Sequence, residues 1–207
     1  MNTEARQNEE PVIGILAVQG DVEMHARMVK KCGVKAVQVR SVDELDRIHG
    51  LIIPGGESTT VGKLMDRYGL DKKIVERAGM GMPVFGTCTG MILLAKEIVG
   101  SDQHRLGLMD FTVLRNAFGR QVDSFEADLD IDVIGPPPVR AVFIRAPYAS
   151  EIGEKIEVLA RCQEKIVLLK QGNLLACAFH PELTDDCRVH RYFIGLSREW
   201  MRAETSA

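Results

Sequence analysis

With 207 residues, 45% of them hydrophobic and 27% charged, the chain has the size and composition of one soluble globular domain. Its formal net charge of −3 leaves no basic stripe for nucleic acid, and no apolar run is long enough to cross a membrane. We expect a flexible polar tail over residues 1–11 and a single domain over residues 12–203. The five cysteines show no paired spacing, and Cys187 with His190 gives only half of a zinc-ligand spacing, so we expect a reduced, cytoplasmic protein without a metal.

The first half of the chain alternates buried strands with helices. Strands are predicted at Val12–Val18, Val34–Val39, Leu51–Ile53 and Pro83–Phe85. Helices are predicted from Asp21 to Gly33, around Asp43–Ile48, from a cap at Ser58, Thr59 or Thr60 toward Tyr68, over Asp71–Ala78, and over Met91–Ala95. This β-α-β-α order predicts a parallel sheet with helices on both faces, whose ligand lies beyond the carboxyl ends of the strands.

The second half of the chain is richer in strands. They are predicted at Phe111–Arg115, Phe125–Val133, Val139–Ile144, Ile156–Arg161, Ile166–Gln171 and Leu174–Phe179. Gly172-Asn173 is typical of a two-residue hairpin turn, and the prolines of Gly135–Pro138 indicate a loop. A closing helix is predicted over Cys187–Met201, with an apolar stripe that serves the core.

The sequence Gly86-Thr87-Cys88-Thr89-Gly90 lies between a predicted strand and a predicted helix. A tight strand-to-helix turn needs glycine on both sides, as in the nucleophile elbow of hydrolases. Such a turn would hold the sulfur of Cys88 exposed in strained backbone at a helix N-terminus, where the helix dipole favours the thiolate. We therefore interpret Cys88 as a nucleophile.

The last predicted strand ends in Phe179-His180-Pro181-Glu182. In extended backbone, residues i and i+2 point the same way, so His180 and Glu182 should project together at the sheet edge that carries Cys88. This set suits a base and the carboxylate that orients it. For an oxyanion hole, the elbow analogy indicates the amide of Thr89, and the glycine loop after the third strand supplies that of Gly56.

The remaining histidines carry weaker signals. His25, His49, His104 and His190 lie in predicted helices or polar loops, and we interpret them as solvated or structural.

Four stretches together resemble a known family. With Cys88 and the His180-Pro181-Glu182 motif, the chain resembles the class I (triad) glutamine amidotransferases and, more narrowly, the glutaminase subunits of pyridoxal 5'-phosphate synthase. The four stretches are Gly14–Asp21, Pro54–Thr60, Arg115–Glu126 and Phe179–Asp185. The resemblance implies a three-layer α/β/α, flavodoxin-like fold with a mostly parallel central sheet and added antiparallel strands.

The resemblance also implies an activity and a partner. It implies hydrolysis of glutamine through a cysteinyl thioester, with Cys88, His180 and Glu182 as the triad, and delivery of ammonia to a synthase subunit. Pyridoxal phosphate is then a product of the complex, and no cofactor is expected on this chain. The implied glutamine-binding residues are Gly56, Glu57, Ser58, Arg115, Ile144 and Arg145.

The sequence leaves the roles of some residues open, and it leaves alternative functions. Glu57 either shapes its loop or meets the substrate ammonium, and Arg145 either binds substrate or faces the synthase. Thr89 departs from the alanine that the family usually has after the nucleophile, and since only its amide is needed we expect activity to survive. The alternatives are a cysteine hydrolase or glyoxalase-like enzyme on a flavodoxin-like fold, and a non-catalytic regulatory subunit.

Overall fold

The structure, a computed structural model, describes residues 10–115 and 124–206. Its strands are β1 (Val12–Leu16), β2 (Lys35–Val39), β3 (Gly50–Ile53), β4 (Val84–Thr87), β5 (Ala95–Ile98), β6 (Met109–Leu114), β7 (Ser124–Leu129), β8 (Val139–Ile144), β9 (Tyr148–Ile152), β10 (Glu157–Cys162), β11 (Lys165–Gln171) and β12 (Leu174–Cys177). Its helices are α1 (Val22–Lys31), α2 (Val42–Leu45), α3 (Ser58–Tyr68), α4 (Leu70–Gly79), α5 (Thr89–Leu94), a 3-10 turn (Pro181–Leu183) and α6 (Arg188–Ser206).

One large mixed sheet organises these elements. Its order is β2-β1-β3-β4-β12-β11-β9-β6-β5, with β10 paired to β11, while β7 and β8 form a separate two-stranded sheet. The five strands from β2 to β12 pair in parallel, and antiparallel pairs follow from β12 to β6. Helices flank this mostly parallel sheet, which confirms the predicted α/β class with added antiparallel strands.

Two pairs of buried aromatic rings anchor the segments that lead to the site. Phe85 of β4 lies 5.5 Å from Phe193 of α6 between ring centroids, and Phe143 of β8 lies 5.7 Å from Phe179. All four rings are fully buried, which anchors the strand before Cys88 and the segment before His180 in apolar surroundings. The closing helix predicted over Cys187–Met201 is confirmed as α6.

Several predicted boundaries were wrong. The strands predicted to continue to Val18, Val133 and Phe179 end at Leu16, Leu129 and Cys177. Two strands were missed: β5, whose first residue Ala95 was assigned to a helix, and β9. Both carry exposed polar residues, so neither shows the apolar run or strict alternation by which a strand is recognised in sequence.

The N-terminal segment and the start of α1 agree only in part with the prediction. Residues 1–9 of the expected tail lie outside the described residues, and Glu10 at its end pairs with Arg198 of α6 at 2.7 Å. Asp21 stands at the N-cap of α1 as predicted, but its side chain makes no capping hydrogen bond. Among the described residues, no helix combines the length and apolar character needed to span a membrane.

Candidate active site

Cys88 lies in the turn between β4 and α5, and its backbone has φ 48° and ψ −98°. A non-glycine residue with positive φ is strained, by about 1–3 kcal/mol, and persists only where its surroundings enforce it. The flanking glycines do so: a Cβ on Gly86 would lie 2.4 Å from the carbonyl carbon of Gly90, and one on Gly90 would lie 2.3 Å from the carbonyl oxygen of Ile53. The predicted strained elbow is confirmed.

The sulfur of Cys88 was predicted to be exposed, and this was wrong. The residue is only 8% exposed, because the segment around Ile144 covers the elbow. The thiol lies 3.9 Å from the carbonyl oxygen of Ile144. Cys88 instead lies at the buried wall of a cavity whose other side is formed by exposed residues such as Glu57 and Arg145.

His180 and Glu182 lie beside the elbow. The backbone N–H of Cys88 donates to the carbonyl oxygen of Cys177 at 2.8 Å, and Thr87 is in register with Cys177 on β12. The chain then runs three residues further to His180, whose Nδ1 lies 2.7 Å from Oε1 of Glu182. The three residues of the predicted triad are thus brought together at one sheet edge.

The predicted reason for the contact between His180 and Glu182, an extended backbone, was wrong. The backbone does not stay extended, because Pro181–Leu183 form a 3-10 turn with His180 as its N-cap. Tight turning, rather than the i, i+2 alternation of a strand, brings the carboxylate to the imidazole.

Electrostatics around His180 favour its charged form. Burial lowers the pKa of the imidazole, but hydrogen bonds to the Cys88 thiol and the Glu182 carboxylate, with their charges, raise it to about 10. Since Nδ1 faces Glu182, the nitrogen available to the Cys88 sulfur is Nε2. This arrangement suits a thiolate–imidazolium pair.

Gly56 faces Thr89 across the cavity. The Thr89 hydroxyl donates to the carbonyl oxygen of Gly56 at 2.5 Å. A Cβ on Gly20 would lie 1.9 Å from the carbonyl oxygen of Gly55, so that oxygen points at Gly20 and the N–H of Gly56, on the opposite side of the same trans peptide, points away from it. The oxyanion-hole role of the Gly56 and Thr89 amides stays a prediction.

Glu57 caps α3 in place of the predicted Ser58, Thr59 or Thr60. Its carboxylate accepts from the amides of Thr59 at 3.0 Å and Thr60 at 2.7 Å, and from the Thr60 hydroxyl at 2.6 Å. The hydroxyl of Thr60 and the amide of Thr59 are the main causes that lower the pKa of Glu57 to about 2. Of its two open roles, the geometry therefore favours shaping the loop.

A cavity of about 380 Å³ contains these groups. All six residues expected to bind glutamine line it, together with Cys88, Thr89 and His180. Three lining residues were not predicted: Gln19, Asp21 and Ile92. Gln19 holds the glycine loop, since its Oε1 accepts from the amide of Glu57 at 2.9 Å. Its position three residues after β1, beyond the carboxyl edge of the sheet, was the available signal.

Gln103 joins the two sides of the cavity and was also missed. Its Oε1 accepts from Nη1 of Arg115 at 2.8 Å, from Ser58 Oγ at 3.2 Å and from Thr59 Oγ1 at 3.3 Å. Arg145 has a positive φ of 43°. Of the family-like stretch Arg115–Glu126, residues 116–123 lie outside the described residues.

Two buried histidines lie behind the triad. His25 was interpreted as solvated or structural, yet it is fully buried and its Nε2 lies 3.3 Å from Oε2 of Glu182. His190 is equally buried, and its Nε2 lies 3.0 Å from Nδ1 of His25. Neither residue is solvated.

Comparisons with known proteins agree over almost the whole chain. The model of the SNO glutamine amidotransferase family matches residues 15–199. The pyridoxal 5'-phosphate synthase subunit PdxT of Pelotomaculum thermopropionicum is 60% identical over 182 residues, covering 88% of this chain and 93% of the relative. The protein of the same name from Desulforamulus reducens is 57% identical over 183 residues, covering 88% and 97%.

Solved structures confirm the fold. A structure described as "Crystal structure of glutamine amidotransferase" has a TM-score of 0.86 and 50% sequence identity, and the match covers 89% of this chain and 98% of that one. The three-layer, flavodoxin-like arrangement expected from the resemblance is thereby confirmed.

Proposed function

This chain belongs to the SNO glutamine amidotransferase family, and from that premise we propose that it is the glutaminase subunit of a pyridoxal 5'-phosphate synthase. It hydrolyses L-glutamine to L-glutamate and ammonia, and it delivers the ammonia to a synthase subunit. The observation that carries the proposal is the contact of His180 with Glu182 at 2.7 Å, beside Cys88 in a cavity of about 380 Å³.

Catalysis begins from the thiolate–imidazolium pair, in which Nε2 of His180 holds the proton of the Cys88 thiol, since Nδ1 is held by Glu182. The thiolate attacks the amide carbon of glutamine, and the resulting oxyanion is met by the amides of Gly56 and Thr89. The imidazolium then gives its proton to the leaving nitrogen, the carbon–nitrogen bond breaks, and ammonia leaves behind a cysteinyl thioester.

The second half of the reaction returns the enzyme to its starting state. His180 takes a proton from water, the hydroxide attacks the thioester, and the carbon–sulfur bond breaks to give glutamate and the Cys88 thiolate. Glu182 keeps Oε1 on Nδ1 throughout, which fixes the ring and stabilises its positive charge.

Substrate orientation follows from the lining of the cavity. Arg115 offers a planar guanidinium to the α-carboxylate of glutamine, and Gln103 keeps that guanidinium in place through its bond at 2.8 Å. Gly56, Ser58 and Ile144 complete the wall, while Glu57 shapes the loop on which Gly56 stands. Arg145 reaches the same cavity from an exposed position, where a docked synthase can touch it.

We also propose that residues 12–203 form one glutaminase domain and that the protein works in the cytoplasm. All five cysteines are free, as a reducing compartment requires. Fractionation of cells and immunodetection of the chain in the soluble cytoplasmic fraction would test the location, and its recovery outside the cytoplasm would contradict it.

The deciding experiment measures ammonia release from glutamine by the chain mixed with its synthase subunit. Cys88→Ala should abolish glutamine-dependent pyridoxal phosphate formation, and added ammonium salt should restore it. Cys162→Ala, which alters a buried cysteine of β10 outside the cavity lining, is the matched control and should keep full activity. A diazo-ketone analogue of glutamine should label Cys88, and labelling of another cysteine would overturn the mechanism.

A further inference from the structure

The carboxylate of Glu182 uses only one of its oxygens in the triad. Oε1 contacts His180, whereas Oε2 is buried and has no hydrogen-bond donor among the described residues. The residue is 1% exposed, so solvent does not serve Oε2 either. A buried carboxylate oxygen without a donor is unfavourable and leaves the rotation of the group weakly restrained. The side chain that stands against Oε2 is His25.

His25 lies between Glu182 and two other buried groups. Its Nε2 is 3.3 Å from Oε2 of Glu182 and 3.1 Å from Oγ1 of Thr87, and its Nδ1 is 3.0 Å from Nε2 of His190. The ring N–H at Nε2 is aimed at Thr87 rather than straight at the carboxylate. Catalytic hydrogen bonds are often long or poorly aligned before substrate binds, and a small rotation of the ring brings Oε2 into line.

The chemistry of these contacts selects one tautomer. If His25 carried its proton on Nδ1, its bare Nε2 would face the carboxylate oxygen and two lone pairs would repel. With the proton on Nε2, His25 faces Glu182 as a donor and accepts from Nε2–H of His190 at 3.0 Å.

Both histidines are neutral near pH 7. Burial, followed by the charges of His190 and His180, holds the pKa of His25 well below its usual range. Burial lowers the pKa of His190 to about 4. The pair therefore adds no positive charge behind the triad, and it acts through hydrogen-bond direction alone.

We propose that His25 is a positioning residue of the triad, whose Nε2–H holds the second oxygen of Glu182, and that His190 fixes the tautomer of His25. The order of contacts is then His190–His25–Glu182–His180–Cys88, contributed by α6, α1, the 3-10 turn and the elbow. When His180 becomes imidazolium, a Glu182 held at both oxygens keeps Oε1 on Nδ1. This inference rests on the proposed function only for the identity of the substrate.

The first test uses glutaminase kinetics in the complex with the synthase subunit. His25→Leu should lower kcat by about 10–100-fold, the range found when the hydrogen-bonded partner of a metal-ligating side chain is removed, with KM for glutamine within about twofold. His25→Gln places an amide N–H near the position that Nε2 occupies in His25 and should restore about tenfold of that loss. A merely structural role predicts no such rescue, so equal kcat for the two variants would overturn the proposal.

The second test needs no glutamine. Iodoacetamide alkylation of Cys88, mapped by mass spectrometry, reports the thiolate, and its pH midpoint should rise in His25→Leu and return toward that of the unsubstituted chain in His25→Gln. The titratable groups facing this set are Asp21, Cys88, Cys177, His180, Glu182 and His190. If the chain proves not to be a glutaminase, this midpoint still tests the role of His25, and an unchanged midpoint would overturn it.

Two further variants separate positioning from folding. His190→Leu should lower kcat less than His25→Leu, and the double variant should be no slower than His25→Leu because His190 acts through His25. His49 is the matched control: its Nδ1 accepts from the backbone N–H of Val12 at 3.0 Å, at the opposite end of β1 from the cavity. His49→Ala should lower the melting temperature and leave kcat unchanged. If the losses in kcat of His25→Leu and His190→Leu were additive in their double variant, His190 would not act through His25, and this part of the proposal would be contradicted.

Discussion

The hydroxyl of Thr89 donates a 2.5 Å hydrogen bond to the carbonyl oxygen of Gly56 and thereby ties the nucleophile elbow to the glycine loop across the cavity. Thr89 is buried, so water does not compete for this bond. The residue that departs from the expected alanine thus has a contact that alanine cannot make. The two amides proposed for the oxyanion hole belong to the same two residues.

Thr89→Ala should keep kcat within about threefold, because the proposed oxyanion donor is the amide and the amide remains. The variant should lose about 1 kcal/mol of unfolding free energy, the usual net contribution of one hydrogen bond. Steady-state glutaminase assays and urea unfolding measure the two quantities. Thr89→Val, which keeps the shape and removes the hydroxyl, should behave alike, and a kcat loss above tenfold in both would show that the hydroxyl itself is needed.

Gly55→Ala should lower kcat by more than about 100-fold, because misplacement of a catalytic group by about 1 Å costs that much. A Cβ at Gly55 would lie 2.4 Å from Cε1 of His180, so the imidazole must move. The matched control is Gly79→Ala at the end of α4, where a Cβ meets nothing within 4 Å. It should keep full kcat and slightly raise the melting temperature. Equal kcat for the two variants would mean that the imidazole tolerates the shift.

Glu57→Ala should destabilise the protein by about 1 kcal/mol at neutral pH, because α3 loses its N-cap. The pKa of Glu57 is about 2 in the folded protein against an ordinary value of 4.5. Its contribution is therefore fully present above pH 4.5 and is lost as the pH falls toward 2. Urea unfolding at several pH values should show the difference between variant and parent shrinking over that window. Glu57→Asp keeps a capping carboxylate and should stay close to the parent.

Acid should weaken the fold partly through His190. Burial lowers its pKa to about 4, whereas the unfolded chain binds that proton near the ordinary 6.5. The unfolded state therefore holds more protons between these values, and the unfolding free energy falls as the pH drops from 6.5 toward 4. His190→Leu should flatten part of this slope in pH-dependent thermal unfolding. An equally steep slope in the variant would assign the acid sensitivity to other groups.

The proximity of Cys88, His180 and Glu182 could be predicted because each of them follows a strand of the parallel half. Apolar strands and flanking glycines are local features, and parallel strands end at a common edge. Cys88, His180 and Glu182 were recognisable on that basis. The contacts of His25 and Gln103 were not, because they join residues far apart in sequence and depend on how helices and loops pack around the sheet.

Local rules also failed where two of them competed. Ser58, Thr59 and Thr60 are ordinary helix caps, yet Glu57 takes that role because its longer side chain folds back onto the amides of Thr59 and Thr60. Likewise, Pro181 indicated extended backbone at His180, while the chain beyond it turns. At His180 the sequence indicated the right pair of residues and missed the turn that joins them, whereas at the start of α3 it indicated the wrong cap.

The pairing of β4 with β12 sets the distance between the Cys88 sulfur and the His180 imidazole, whatever the number of residues that connect the two strands. Thr87 and Cys177 stand side by side on neighbouring strands, although the whole antiparallel half of the chain is threaded between them. Residues inserted in an exposed turn of that half, such as Glu154–Lys155, would lengthen the path and leave this pairing where it is. Exposed turns of the antiparallel half that lie away from the cavity are therefore the places to graft a reporter or an affinity tag onto a working enzyme.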